Sequence, residues 1–384
     1  MKDGRYLAAR NAFAALAFEP GGRMRDERAY QMWQQYSPMI TNELPLDGLT
    51  RRGRAPPAPE AGWAAQARRA TARDAITEIV ARARRTSIVI LNEAHYSPRD
   101  RAFGLSVAQA LRPLGYATLA AETFDNNPAK GRRPAVDLLA ADGVVRAGTG
   151  SYTKDPVFAA YVRAAVAMGY RPVAYEMTEA QRIQGDDVAK QIAAREDAQV
   201  ANLMAAIFTK NPGAKVLIHV GHSHVAEAPI ARNDERIAWM AARLKKATGI
   251  DPLTIDQTEL TDLSPDARAA YPIAAAKVGR KDGILFAAGK PLVLGQYAGA
   301  VDVQVVHPVR AYRHGRPTWL AGLGGKPVAV PRALLPAKGE RLVQAFAADA
   351  PTDAVPLDQV LITAGKPAPY LMLPAVKVRF ATQP

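Results

Sequence analysis

The sequence predicts an α/β fold: a mainly parallel sheet flanked by helices, with a helical N-terminal lead-in and a β-rich C-terminal region. The apolar run at 87–91 (SIVIL) is continuous rather than alternating, which is typical of a strand buried on both faces. Such runs alternate with amphipathic helical segments up to residue 260, and this indicates right-handed crossovers between parallel strands. Beyond residue 260, Gly and Pro punctuate short apolar runs, which predicts mainly β-structure.

Three regions are predicted along the chain. Residues 1–70 form the helical lead-in and a Pro-rich linker (RRGRAPPAP, 51–59), residues 71–260 the α/β catalytic-type domain, and residues 261–384 the β-rich C-terminal region. Within the α/β domain, the pattern predicts strands at 87–91, 117–121, 171–175 and 215–220. It predicts helices at 64–84, 100–114, 156–168, 187–210 and 234–248. Gly115 and Gly169 are the expected stops of two of these helices.

Composition excludes several classes of protein. The 384 residues include no cysteine, which rules out disulfides, thiolate metal centres and cysteine nucleophiles. The formal net charge is +14, but the basic residues are dispersed and accompany no nucleic-acid-binding motif. We therefore expect a soluble protein with a small-molecule substrate and no nucleic-acid partner. The oligomeric state stays open.

No apolar run approaches the roughly 20 residues that a transmembrane helix needs. Residues 12–18 are short for the apolar core of a signal peptide, and Glu19 and Pro20 stand where small cleavage-site residues would follow. The sequence thus predicts no transmembrane segment and, by default, a cytoplasmic location. A signal removed before Met1 would make the location periplasmic.

Acidic and histidine side chains follow each predicted parallel strand. Ligands of open parallel sheets bind at the carboxyl ends of the strands, so we expect these side chains to share one cleft. They are Glu93, His95, Glu122, Glu176, His222 and His224. Two carboxylates and two imidazoles can act as acid and base on a water molecule. They can also hold a divalent metal, with Glu93, Glu122, His222 and His224 as the ligands. His219, inside the fourth strand, is interpreted as a core residue.

A second interpretation of the fourth strand end is a nucleophile elbow. The residues 221–225 (GHSHV) resemble the G-x-S-x-G turn of α/β-hydrolases, with Ser223 as nucleophile. Asp256 and either His307 or His314 would complete a triad in that family's order. Val225 stands where the sharp turn needs a small residue, and Pro229 interrupts the helix that should follow. The elbow is therefore the lesser alternative.

The segment 88–124 carries a family resemblance: a strand delivers N-E-A-H at 92–95, a helix follows, and the next strand ends in Glu122. It resembles the opening of the erythromycin esterase-like and ChaN/TIKI-like superfamily, in which the first motif is G-E-x-H. Residues 195–203 and 215–224 resemble that superfamily's later block. Asn92 replaces the usual Gly, and because Asn tolerates a left-handed backbone, we expect the turn to persist.

The resemblance, which covers about residues 75–260, implies an active-site set and leaves the function open between two classes. The implied set is Glu93, His95, Glu122 and a histidine of the 221–224 turn, either His224 or His222, with Arg195 and Glu196 lining it. Tyr96, next to His95, is also expected to line the substrate site. The first hypothesis is a hydrolase of an ester or lactone carbonyl. The alternative is a haem- or metal-binding envelope protein, in which Tyr96 or a site histidine is an axial ligand. No cofactor is assumed; because the candidate ligands lack a recognisable metal-binding spacing, the metal-free hydrolase is favoured.

Overall fold

A computed structural model describes residues 4–44, 61–128, 130–232 and 235–384. Its helices are α1 (Tyr6–Ala17), α2 (Glu27–Thr41), α3 (Ala61–Arg69), α4 (Ala75–Ala83), α5 (Pro98–Leu111), α6 (Ala135–Asp142), α7 (Pro156–Ala167), α8 (Val188–Leu203), α9 (Met240–Thr248) and α10 (Tyr271–Val278). Its strands are β1 (Thr71–Asp74), β2 (Ile88–Glu93), β3 (Thr118–Ala121), β4 (Arg171–Val173), β5 (Val216–Gly221), β6 (Ile230–Arg232), β7 (Glu235–Ile237), β8 (Leu253–Asp256), β9 (Gly283–Ala287), β10 (Lys290–Pro291), β11 (Val303–Val306), β12 (Tyr312–Arg313), β13 (Arg316–Pro317), β14 (Lys326–Val328), β15 (Glu340–Ala347), β16 (Asp358–Thr363), β17 (Leu371–Leu373) and β18 (Val378–Gln383).

A central sheet of nine strands confirms the predicted α/β class. The strand order is β1-β9-β11-β8-β2-β5-β3-β4, with β10 paired to β9. The strands from β11 to β4 run parallel to one another, and the antiparallel pairs lie at the β1–β9 edge. The mainly parallel sheet that the sequence predicts is therefore the sheet that forms.

Helices cover both faces of the sheet, which explains why the predicted strands are continuously apolar. In β2, Val89 and Leu91 pack with α4, α5 and α7, whereas Ile88 and Ile90 pack with α8 and α9 on the opposite face. Burying one such side chain contributes about 1.5–3 kcal/mol. A polar residue at any of these positions would therefore lose this contribution to stability.

The centre of the sheet is a topological switch point. From β2 the chain crosses by α5 to β3, which lies beyond β5; from β5 it crosses by α9 to β8, which lies beyond β2. The two crossovers diverge on opposite faces and leave a crevice at the carboxyl ends of β2 and β5. The fold thus places a ligand-sized opening where Glu93 and Gly221 face each other across the two strands.

Two helix boundaries follow the predicted signals closely. α5 begins at Pro98, two residues before the predicted start, and Gly115, whose φ of +90° suits a residue without a Cβ, ends the short 3₁₀ turn that follows the helix, as predicted. Asp155 caps α7 by accepting a hydrogen bond from the N–H of Val157.

Three predicted helices are wrong in extent. The helix predicted at 64–84 is two helices, α3 and α4, separated by β1, which pairs antiparallel with β9. The helix predicted at 187–210 leaves the α-helical repeat at Met204, where a π-helical turn extends to Phe208. The helix predicted from Asp234 begins only at Met240, because β6 and β7 form a hairpin before it.

The β-rich C-terminal region is present, but the central sheet continues past residue 260. Strands β9 and β11 of the sheet lie after that point. Beyond them, β15 pairs with β16 and β18, and α1 and α2 pack on this second sheet through Leu7 and Ile40 against Leu342. The Pro-rich linker predicted at 51–59 falls outside the described residues.

Within the part of the chain that the structure describes, no helix combines the length and the apolar character needed to cross a bilayer.

Candidate active site

A cleft of about 510 Å³ opens at the switch point, beside the carboxyl ends of β2 and β5. It is lined by His95, Glu122, Tyr152, Arg195, Gly221, His222, Ser223, His224, Ala231, Arg232, Trp239 and Gln296. The carboxyl ends of three parallel strands and the β6–β7 hairpin therefore contribute to a single opening.

Glu93, the last residue of β2, is a buried carboxylate held by cations and imidazoles. Arg101 on α5 donates to both of its oxygens, at 2.7 and 3.0 Å, and the Nε2 of His219 lies 3.1 Å from Oε2. Burial alone would raise the pKa of Glu93, but Arg101, His219 and His95 outweigh it and hold the pKa well below its usual range. Glu93 is therefore ionised at neutral pH.

His95 projects from the turn after β2 into the cleft. Its Nδ1 lies 3.0 Å from Oε1 of Glu93, and its ring stacks on Tyr152 at a centroid distance of 4.2 Å. Because the ionised Glu93 carboxylate can only accept, Nδ1 carries the proton and donates it. In the neutral ring the opposite nitrogen, Nε2, keeps its lone pair; it lies beside Gly221, and no hydrogen-bond partner of Nε2 is found among the described residues.

A second cluster surrounds Glu122, which follows β3. Oε1 of Glu122 accepts from Arg195 at 2.6 Å, and Oε2 accepts from the backbone N–H of Gly221 at 2.5 Å. Burial would raise the pKa of Glu122, but the neighbouring His224 and Arg195 and the Gly221 N–H lower it to about 2. Glu122 is thus a second fixed negative charge beside the cleft.

Arg195 connects three elements of the site. Besides Glu122, it donates to both oxygens of Glu176, at 3.0 and 2.6 Å, and to Nε2 of His224 at 2.9 Å. The other nitrogen of His224, Nδ1, lies 2.9 Å from Oε2 of Glu196. In the neutral ring, Nε2 of His224 accepts from Arg195, which can only donate, and Nδ1 donates to Glu196. Burial alone would lower the pKa of His224, but the Glu122 and Glu196 carboxylates outweigh it and raise the pKa, so the charged ring is favoured as well.

His222 sits in a strained turn directly after β5. Its φ of +37° lies in the left-handed region, and its ring meets His95 edge-on at a centroid distance of 5.1 Å. Burial and the neighbouring His95 lower the pKa of His222 to about 4. This imidazole is therefore neutral at physiological pH.

The structure brings five of the predicted site residues to the cleft: His95, Glu122, Arg195, His222 and His224. The other four lie beside it. Glu93 is buried behind His95, against Arg101 and His219. Glu176 is turned to Arg195 and Gln199. Glu196 is fully buried and bonds His224 and the N–H of Met240. Tyr96 packs beside His222, 6.1 Å between ring centroids, but lines a different cavity. Glu196 and Tyr96 are thus not lining residues of this cleft, which corrects that expectation.

Three residues of the site lie outside the predicted set. His219, interpreted as a core residue, is buried as expected but bonds Glu93, and its Nδ1 has no partner among the described residues. Arg101 shares one buried face of α5 with Leu105 and Ala108, and a charge in an apolar stripe is a signal of a buried counter-charge. Tyr152 lies in a 3₁₀ turn, where no sequence pattern marks it.

Asn92 does not adopt the left-handed backbone that the resemblance led us to expect. It is a buried residue of β2, and its side-chain amide donates to Asp256 at 2.8 Å and to the carbonyl of His222 at 3.2 Å. A glycine at this position would lose both contacts. Asn92 therefore supports the strained His222 turn from the adjacent strand.

The donor set does not fit a divalent metal. Both oxygens of Glu93 are bonded to Arg101, and Glu122 is bonded to Arg195 and the Gly221 N–H. His224 is held by Arg195 and Glu196. Each candidate ligand except His222 thus already has a cation or donor on the lone pairs that a metal would need. The described residues also contain no group of three acidic or histidine side chains arranged for a metal ion.

The residues of the alternative elbow are engaged elsewhere. Asp256 accepts from Asn92, Thr258 and Gln304. His307 is bound to Asp282 and Gln257, and His314 stacks on Tyr370 in the C-terminal region. Neither Asp256 nor His307 is bonded to Ser223 or to the other, as a triad would require.

No known protein family matches the chain, and no curated protein matches it. Solved structures that are similar include a crystal structure of bacterial protein toxins, with 15% identity and a TM-score of 0.34 over 57% of this chain and 44% of that one. RRSP, a MARTX toxin effector domain from Vibrio vulnificus CMCP6, has 15% identity and a TM-score of 0.33 over 57% and 45%.

The C-terminal region of Pasteurella multocida toxin, described as having a thiol-protease-like catalytic triad, has 9% identity and a TM-score of 0.34 over 92% of this chain and 49% of that one. This chain thus spans less than half the length of the structures it resembles. It has no cysteine and cannot supply a thiol. Similarity of this degree assigns neither a family nor a residue role.

Proposed function

We propose that the cleft is the active site of a hydrolase that cleaves an ester or lactone carbonyl, with His95 as general base. The observation that carries the proposal is the Glu93–His95 pair, 3.0 Å apart at the end of β2, with the ring of His95 lining the cleft. A base of this kind needs a neutral imidazole, a fixed tautomer and access to water. The tautomer and the access to water both have a physical cause in this chain.

The tautomer is fixed by the ion pair behind it. Arg101 neutralises Glu93 through two hydrogen bonds and is itself held by Asp155 at 2.8 Å. The carboxylate stays ionised and accepts the Nδ1–H of His95, so Nε2 remains the basic nitrogen. Tyr152, stacked on the ring, restricts its rotation. An imidazole restrained in this way loses little entropy when a water molecule binds to it.

The proposed reaction then needs little movement. Nε2 of His95 takes a proton from water as the water oxygen attacks the carbonyl carbon. The carbonyl π electrons move to its oxygen, and a tetrahedral intermediate forms. When the intermediate collapses, the C–O bond of the leaving group breaks and His95 returns the proton to the departing alkoxide. The products are a carboxylic acid and an alcohol, or one hydroxy acid from a lactone.

Charges around the cleft favour the imidazolium that forms when His95 takes the proton from water. Glu93 is bonded to His95, and the ionised Glu122 is a second carboxylate nearby, since it and the His95 ring both border Gly221. The neutral His222 and Tyr152, whose pKa burial raises above its ordinary value, both line the cleft as N–H or O–H donors for the oxyanion. Arg232, a cation at the rim over the ring of Trp239, suits a substrate with negative charge.

The resemblance of 88–124 and 195–224 to the erythromycin esterase-like and ChaN/TIKI-like superfamily supports the same residues. The haem-binding alternative is less well supported. Tyr96, one of its proposed axial ligands, lies outside the cleft, and two of the site histidines are held by other side chains, His95 by Glu93 and His224 by Arg195 and Glu196, which leaves His222.

A panel of p-nitrophenyl esters and aliphatic lactones tests the proposal. We expect turnover by the wild type, and we expect His95→Gln to reduce kcat by about 10²–10⁴-fold, the usual contribution of a general base. His314→Asn is the matched control, because His314 lies in the C-terminal region and has a left-handed backbone that Asn accepts. Equal rates for wild type and His95→Gln across the panel would refute the role of His95.

A further inference from the structure

A second cavity of about 370 Å³ lies away from the cleft, between α7 and the C-terminal region. Most of its wall is apolar and includes Val157, Ala164, Leu323, Leu357, Met372 and Val376. Val376 is 51% exposed, so part of this apolar wall faces solvent. The volume lies within the roughly 300–1,000 Å³ of small-molecule sites.

Two charged side chains line the cavity, and one of them is already neutralised. Asp358 accepts from Arg316 at 2.8 and 2.9 Å and from the backbone N–H of Met372 at 2.6 Å. The charge of the Asp358 carboxylate is therefore already balanced by Arg316 and does not pair with the other charged side chain, Arg163.

Arg163, on α7, has no carboxylate partner in the described residues. Its one hydrogen bond goes to the carbonyl of Pro356 at 3.5 Å. Arg163 is half-buried, and because no carboxylate offsets this burial, its pKa is lowered to about 10. The buried arginines Arg101 and Arg316 differ: Arg101 is paired with Glu93 and Asp155, and Arg316 with Asp358.

A guanidinium with free donors beside an apolar wall matches one ligand chemistry. Its planar fork pairs with a carboxylate through two parallel hydrogen bonds, which restore the lost solvation. The apolar wall accepts an alkyl chain and gains by its removal from water. A phosphorylated sugar or an acidic peptide would instead leave polar groups against Leu323, Met372 and Val376.

We propose that this cavity binds a small amphiphilic monocarboxylate, such as a medium-chain fatty acid, with its carboxylate on Arg163 and its alkyl chain along the wall between α7 and the C-terminal region. The site is separate from the proposed active site and does not depend on the hydrolase proposal.

Titration calorimetry of the full chain with octanoate and with octan-1-ol tests this site. We expect saturable binding of octanoate and at least about tenfold weaker binding of octan-1-ol, since the alcohol lacks the charge-assisted pair. Arg163→Gln should weaken octanoate about tenfold or more and leave octan-1-ol unchanged, whereas Arg163→Lys should keep part of the affinity. Arg171→Gln removes an exposed positive charge elsewhere and is the matched control.

A steric variant separates the site from general effects of charge. Ala164→Trp should weaken both ligands because it fills the cavity, and it tests the site even if Arg163→Gln does not fold. Circular dichroism establishes that each variant is folded. The proposal is overturned if octanoate shows no saturable binding to the wild type, if octan-1-ol binds equally well, or if folded Arg163→Gln and Ala164→Trp bind octanoate as the wild type does.

Discussion

The imidazole of His95 lies against the α-carbon of Gly221. A Cβ built on Gly221 would fall 2.3 Å from Cε1 and 2.6 Å from Nε2 of His95, and 3.0 Å from Oε2 of Glu122. The φ of Gly221 is −86°, an ordinary value for any residue. The glycine is therefore required for the room it leaves, and not for its backbone freedom.

Gly221→Ala should displace His95 from its place between Glu93 and the cleft. Because a shift of about 1 Å in a reacting group can cost about 10²-fold in rate, we expect a fall of that size in kcat. Gly148→Ala is the control, since nothing lies within 4 Å of a Cβ there and its φ is not left-handed. Kinetics with unchanged thermal melting would separate displacement from unfolding; an active Gly221→Ala enzyme would show that the position of His95 does not matter.

Arg101→Met should destabilise the fold strongly. The substitution removes the only cation bonded to Glu93 and Asp155 in the described part of the chain, and both carboxylates are buried. Breaking one partner of a buried ion pair costs about 3–5 kcal/mol. The free energy of unfolding in urea measures the loss. Arg182→Met is the control, because its pair with Glu179 is exposed on both sides and should contribute little.

The predicted strand ends located the site because parallel topology alone brings them together. The prediction of Glu93, Glu122 and His224 required only the identification of residues that follow buried strands, and no knowledge of packing. The direction in which each side chain points could not be predicted without knowledge of packing. Glu196 points away from the cleft because Met240, 44 residues later, donates its backbone N–H to it. Tyr152 reaches His95 through a 3₁₀ turn that no periodicity marks.

The errors in the fold have the same origin. Residues 71–74 are compatible with the helix predicted at 64–84, and they become β1 because β9, far along the chain at 283–287, offers its free edge. The helix predicted from 234 starts late because β6 and β7 pair with each other. In both places strand pairing overrides the local helical propensity. A sequence window that does not include the partner strand cannot predict this pairing.

Ser223→Ala should leave turnover within a few-fold. Asp256 and His307, the partners that an elbow would need, are bound to Asn92 and to Asp282. Loss of a true serine nucleophile would instead cost about 10⁴-fold or more. Steady-state kinetics on the best ester of the panel distinguish these outcomes, and a loss of the larger size would make Ser223 the nucleophile.

Chelation should not remove activity. Arg101 and Arg195 occupy the carboxylates of Glu93 and Glu122, so a divalent ion would have to displace an arginine from each. We expect equal rates before and after dialysis against EDTA, with the metal content followed by mass spectrometry. Loss of activity that one divalent ion restores would contradict the donor-set argument and make Glu93, Glu122 and the two turn histidines ligands.

His222 should make the fold sensitive to mild acid. Its pKa is about 4 in the folded protein and 6.5 for an unperturbed histidine, so in this window the unfolded chain binds a proton that the folded one does not. Stability therefore falls as the pH drops from 6.5, by about 2 kcal/mol at pH 4.5. Glu122, whose pKa is about 2 in the folded protein and 4.5 unperturbed, adds to the loss from about pH 4.5 downward, equally in the wild type and in a His222 variant. His222→Asn keeps the left-handed backbone and removes the titration. Urea unfolding at pH 7 and pH 4.5 should show a smaller loss in the variant than in the wild type; equal losses would mean that His222 is protonated in the folded protein as readily as in the unfolded chain.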